Sequence, residues 1–204
     1  MRPLGNCLIP AALMLLAGGA SQAQPGKDAP VMRVPIVFSG GHETEPKDRG
    51  RPVVLVAAAL GVPSTVFREA FTHVHPAPAG TEPNPQDVRD NKRALLDALG
   101  RYGVTNDRLD TVSNYYRYVR RRNALWPTTP AVGYALVKNG AITGYVVTSG
   151  GSGYSSPPMV TVAGFPGATG KAQVAFSPVF EKNGAVSEIV SVPAQEGDKP
   201  AKTP

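Results

Sequence analysis

Two hydrophobic periods divide the chain. Across residues 48–123 apolar positions recur at helical spacing, whereas across residues 131–193 they alternate with polar ones and β-branched side chains become common. Residues 53–60 (VVLVAAAL) are apolar all round, which fits a buried helix or a buried strand. The run Ala57-Ala58-Ala59 and the following Gly61 favour a helix with a glycine stop. Pro52 fits its first turn, with Asp48 upstream as cap. A second helix from Ser64 sets Val66, Phe67, Ala70, Phe71 and Val74 on one face and ends at Pro76 and Pro78. A third has Asn84 as N-cap, Pro85 in its first turn and Asp87 at its third position. Its apolar face is Val88, Leu95, Leu99 and Tyr102, and Gly103 stops it. A fourth, from Thr105 or Asn106, carries Leu109, Val112, Tyr116 and Val119. Short connections predict a compact antiparallel cluster.

Beyond it, residues 131–138, 141–148, 159–163, 172–176 and 185–192 read as strands. Asn139-Gly140 and Asn183-Gly184 predict two-residue type I′ turns, with positive φ at both positions. Residues 31–39 (VMRVPIVFS) read as an edge strand, because Pro35 has no N–H for a central ladder. The expectation is an α+β protein. An N-terminal helical cluster (48–123) precedes a small antiparallel β-meander (131–193). Residues 24–47 are a flexible leader or edge strand, and residues 194–204 a disordered tail.

The N-terminus adds a location. Arg2, the apolar stretch 8–17 (LIPAALMLLA) and Ser21-Gln22-Ala23 have the form of a signal peptide over residues 1–23. The expected site of action is periplasmic or extracellular. Cys7, the only cysteine, would leave with that segment, so the mature chain forms no disulfide and no Cys-ligated metal site. No other apolar span reaches 20 residues, so no integral membrane segment is expected. The net charge is +6, and residues 48–123 hold 12 Lys/Arg against 8 Asp/Glu. Arg117 and Arg120-Arg121-Arg122 fit an anionic partner, or a basic helix end facing water. No nucleic-acid motif is present, and no nucleic-acid partner is expected.

An internal echo pairs Asn139-Gly140-Ala141-Ile142-Thr143 with Asn183-Gly184-Ala185-Val186-Ser187. After the first copy come Val147-Thr148-Ser149-Gly150-Gly151-Ser152-Gly153-Tyr154 and Pro157-Pro158-Met159-Val160-Thr161-Val162. Over about 55 residues this resembles a GSGY-type β-repeat of secreted bacterial surface proteins and phage tail-associated proteins. The second copy lacks the Gly-Ser-Gly-Tyr segment, so one unit and a closing hairpin are expected. The whole arrangement also resembles small exported proteins of planctomycete-like bacteria. That resemblance rests on Gly40-Gly41-His42-Glu43-Thr44 through Arg51-Pro52-Val53-Val54 and on Ser113-Asn114-Tyr115-Tyr116-Arg117-Tyr118, and it implies no activity.

Candidate chemistry is sparse. Gly150-Gly151-Ser152-Gly153 lacks the Lys-Ser/Thr of a phosphate loop and reads as a turn. His42, Glu43, Glu45 and Asp48, joined by His73 or His75, are the set from which a metal-assisted hydrolase would be built. Their other reading is a solvated loop followed by helix-end histidines. Glu69, Asp97 and Asp110 are carboxylates on helices, available in principle for glycoside cleavage and otherwise solvated. Tyr115, Tyr116, Tyr118, Trp126 and Tyr134 either stack on a ligand or seal the junction between helices and sheet. No catalytic residue, metal ligand or cofactor is assigned. The expected function is a non-enzymatic binding module for a glycan or envelope protein. A metal-assisted hydrolase and a surface-assembly subunit are the alternatives.

Overall fold

The computed structural model describes residues 30–75, 81–82, 84–117, 125–167 and 170–191. The signal-peptide reading, Pro76, Pro78, Tyr118, Val119, Arg120 to Arg122 and the C-terminal tail fall outside these residues. The architecture is α+β. Four helices, α1 (Val53–Leu60), α2 (Ser64–Thr72), α3 (Pro85–Leu99) and α4 (Asn106–Tyr115), are followed by five of six strands. The strands are β1 (Met32–Ser39), β2 (Val132–Lys138), β3 (Ala141–Ser149), β4 (Met159–Val162), β5 (Gly170–Ala175) and β6 (Ala185–Ser191).

The all-apolar run 53–60 is a helix because it is the centre of the helical layer. Leu55, Ala57 and Ala59 are buried, and Gly61 stops the helix at φ 73°. Phe67 and Ala70 of α2, Leu99 of α3 and Leu109, Val112 and Tyr116 of α4 close around it, with Trp126. Asn84 caps α3 through a 2.8 Å bond to the Gln86 N–H, and Thr105 caps α4 through the Arg108 N–H. Two expectations need correction. Asp48 does not cap α1; it closes a one-turn 3-10 helix (Pro46–Asp48) and pairs instead with Arg68. The apolar face of α3 is buried only at its C-terminal end. Val88 is 48% exposed, because residues 84–90 run past the helical core and are all exposed.

All strand pairs are antiparallel, in the order β3-β2-β1-β4-β5-β6. β4-β5-β6 is a meander, but β1 is not an edge strand: it lies between β2 and β4. Met32 to Pro35 pair with β2, and Ile36 to Ser39 pair with β4. Pro35 thus stands where one ladder hands over to the other, which is how a central strand accommodates a residue without N–H. Val34, Ile36 and Phe38 alternate inward onto Ala135, Val160, Val162, Ala172 and Val186. Register shifts in β2–β3 and β5–β6 accompany a strong curl of the sheet. Its two ends therefore meet, and Gly150 O accepts from Val186 N at 2.8 Å.

Asn139 and Gly140 both have positive φ (52° and 75°), as a type I′ turn requires. Asn183 does not: its φ is −81°, and only Gly184 is left-handed. The second dipeptide follows a 3-10 turn (Phe180–Lys182) instead of forming a two-residue hairpin.

Gly140 and Gly151 separate backbone strain from crowding. Both have positive φ, but a Cβ on Gly140 meets open space. One on Gly151 would strike the Thr129 carbonyl oxygen and lie 2.7 Å from Pro130 C. Urea unfolding should show Gly140→Ala costing about 1 kcal/mol and Gly151→Ala about 3 kcal/mol or more. Equal losses would show that segment 150–153 is loosely held.

Candidate functional site

The helices and the sheet bury separate apolar clusters. They are joined by polar groups contributed by segments 40–45, 126–130, 150–156 and 177–184. Asn183, fully buried, is the centre of this junction. Its Nδ2 donates to Leu55 O of α1 (2.8 Å) and to Tyr116 Oη (2.9 Å), and its Oδ1 accepts from Ser177 N (3.1 Å). Its backbone carbonyl accepts from Gly153 N at 2.8 Å. Burial pushes the Tyr116 phenol up to about 12, partly offset by the Asn183 bond, so it stays protonated at neutral pH.

The Gly-rich segment serves this junction and not an anion. Trp126 Nε1 donates to Gly153 O (2.8 Å), Ser152 exchanges both backbone bonds with Thr129, and Tyr154 Oη accepts from Ala131 N (3.0 Å). Arg108 donates to Ala59 O and Pro178 O and lies over the Phe180 ring, which stacks on Tyr115 at 4.2 Å. Tyr115, Tyr116 and Trp126 therefore take the sealing role expected of them. Tyr134 does not: it is on the outer side of β2, beneath Arg33.

The residues of the hydrolase alternative do not come together at one point, although Glu43, Glu45 and Asp48 line a common cavity of about 250 Å³. Asp48 and Glu45 bind Arg68, with two Arg68–Asp48 bonds of 2.8 Å. Glu43 accepts from Ser156 Oγ and Gly41 N. His42 stacks on Tyr154 at 5.1 Å, with its Nε2 buried and unpartnered. His75 is tied to Asn91 through its backbone. Among the described residues no three His, Cys, Asp or Glu side chains converge for a metal ion.

Two further surfaces stand out among the described residues. A groove of about 490 Å³ runs between α2 and α3, with Val66, Ala70 and Ala98 among its apolar lining, Glu69, Asp97 and Arg101 bringing charge to it and His73 an imidazole. It unites two of the three carboxylates noticed in the sequence; the third, Asp110, pairs with Lys92 at 2.7 Å. The other surface is the outer face of the sheet. Cross-strand partners share a face, so Pro35, Tyr134 and Val146 form one outward row, and Ser39, Met159, Lys171 and Val190 another. Val37 is 59% exposed and Met159 66%. Sequence reasoning missed this face because it placed β1 at an edge. It missed Asn183 because Asn-Gly is a turn signal whatever its tertiary partners.

Asn183→Ala would strand the Tyr116 hydroxyl, the Ser177 N–H and one acceptor site on Leu55 O; a loss of about 3 kcal/mol is expected in urea unfolding, against about 1 kcal/mol for Tyr116→Phe. A loss under 1 kcal/mol for Asn183→Ala would mean that water replaces the amide. A pH titration tests His42. Burial holds its imidazole below the ordinary 6.5, with Glu43 opposing in part. A lowered histidine pKa means that the unfolded chain binds the proton first. This contribution is therefore whole above about pH 6.5 and is lost as pH falls through the lowered value. Glu43, held below 4.5 chiefly by the Ser156 hydrogen bond, adds a second loss at lower pH. His42→Phe should keep the stack and abolish only the upper step; an unchanged pH profile would count against this assignment.

No known protein family, curated protein or solved structure matches the chain.

Proposed function

We propose that this protein is exported and works as a non-enzymatic binding module for an envelope component, a glycan or glycan-bearing protein, held in the groove between α2 and α3. The observation that carries the reading is the groove itself. Its volume lies in the range of small-ligand sites. An apolar lining with carboxylates, an imidazole and a guanidinium suits a sugar ring, whose faces are apolar and whose hydroxyls both donate and accept. Export is supported by the form of residues 1–23 and by the likeness of residues 139–162 to repeats of secreted surface proteins. Of the groups that a metal-assisted hydrolase would use, the carboxylates of Glu43, Glu45 and Asp48 are engaged with protein partners instead.

The test is a thermal-shift screen with neutral and acidic oligosaccharides. A binding sugar at a hundredfold excess over its Kd should stabilise the native chain by about 2.7 kcal/mol. Glu69→Gln/Asp97→Asn should abolish the shift while leaving the ligand-free stability within about 0.5 kcal/mol of wild type, since both side chains are exposed. No shift with any sugar, or a shift that survives the double variant, would overturn the groove as the site. Cleavage of the sugar by wild type and not by the variant would replace binding by hydrolysis. Fractionation of expressing cells should place a chain beginning at Gln24 outside the cytosol, and an intact cytosolic chain would overturn export.

A further inference from the structure

We propose that the outer face of β2-β1-β4, with its flank on β5, docks on an anionic lipid surface. This goes beyond the groove and does not depend on it. Val37, Val132 and Met159 are all more than half exposed on or beside this face, and Tyr134 and Pro35 lie between them. No described strand residue belongs to the helical core, and among the described residues nothing buries Val37, Val132 or Met159. A protein surface rarely keeps such a run of apolar side chains without a partner.

The charge on the face chooses the partner. Arg33 stands toward one end, over the Tyr134 ring at 4.9 Å, and Lys171 stands at the other, opposite Met159. The strands among the described residues carry Arg33, Lys138 and Lys171 against a single carboxylate, Glu188 on β6. A second copy of the chain would bring the same cations to the interface. A soluble acidic glycan would satisfy the cations and leave valine and methionine in water. A bilayer bearing anionic headgroups meets both demands: phosphates take the Arg and Lys heads, and the apolar side chains enter the headgroup boundary. The aliphatic stems of Arg33 and Lys171 allow their charges to reach up to that level.

The full chain is to be sedimented with vesicles of phosphatidylcholine alone and with about a third phosphatidylglycerol. Binding to the anionic vesicles is expected, falling as salt rises. Arg33→Glu/Lys171→Glu and Val37→Asp/Met159→Asp should each weaken it about tenfold or more. Residues 1–23 are common to all variants, so their own apolar stretch cannot produce the difference. The substituted positions are exposed, and circular dichroism melting checks that each variant is folded; Val37→Ser/Met159→Ser is a milder pair whose loss should be intermediate. Equal binding by the variants, or equal binding to both vesicle types, would overturn the proposal. So would binding to soluble anionic polysaccharide without vesicle binding, or a concentration-dependent dimer that Val37→Asp/Met159→Asp abolishes in place of lipid binding. Failure here leaves the sugar-induced thermal shift untouched, and failure of that shift leaves vesicle binding untouched.

Discussion

Asn183 holds together two bodies that share no apolar core. The helical layer closes on Leu55, Leu99 and Val112, the sheet on Ile36, Ala135 and Val160. Between them the contacts are directional: one amide spends both Nδ2 hydrogens on α1 and on the phenol that ends α4, and its oxygen on the backbone of segment 177–184. A buried amide without partners costs about 1 to 3 kcal/mol for each group left unpaired, so this geometry is satisfied as a whole or broken as a whole. An apolar interface tolerates sliding; a hydrogen-bonded one admits a single docking angle. Arg108 and Trp126 reinforce that angle from either side, each reaching a backbone carbonyl across the junction.

That demand explains the composition of the segment facing Asn183. Gly153 must let its N–H reach the Asn183 carbonyl while its own carbonyl receives Trp126, and a Cβ there would lie 2.7 Å from Pro127 O. Gly184 likewise backs onto Tyr154 and Leu55. Glycines that would elsewhere announce a phosphate loop are here the means by which two layers approach. The Gly-rich segment and the carboxylates of the 42–48 loop are alike committed to protein partners. The groove between α2 and α3 and the outer sheet face still turn side chains outward.

Much of the fold could be read from local pattern because local physics decides it. The helix over Val53–Leu60, the cap at Asn84, the start of α4, the first Asn-Gly turn and five strands to within about two residues follow from propensity, capping and period-2 alternation. What could not be read depends on distant neighbours. The central place of β1 is settled by β2 and β4, about 100 residues away in sequence. The exposure of Val88 follows from where the core stops, which the helical period of α3 does not encode. Of the site, the sealing aromatics and two carboxylates were visible as residue types, but not that Glu69 and Asp97 face one groove while Asp110 is taken by Lys92.

The two Asn-Gly dipeptides show the same division within a single side-chain amide. At 139–140 the chain has nothing to bind beyond its own hairpin, so the turn is set by its local preference and Asn139 enters the left-handed region. At 183–184 the amide is offered Leu55 O and Tyr116 Oη in a dry site, and those bonds outweigh the modest advantage of a primed turn. Asn183 therefore keeps an extended backbone, φ −81° and ψ 125°, and leaves positive φ to Gly184 alone. An echo in sequence became a difference in structure because only one copy lies against the helical layer. The copy in water makes a hairpin, and the copy at the junction makes the protein one body.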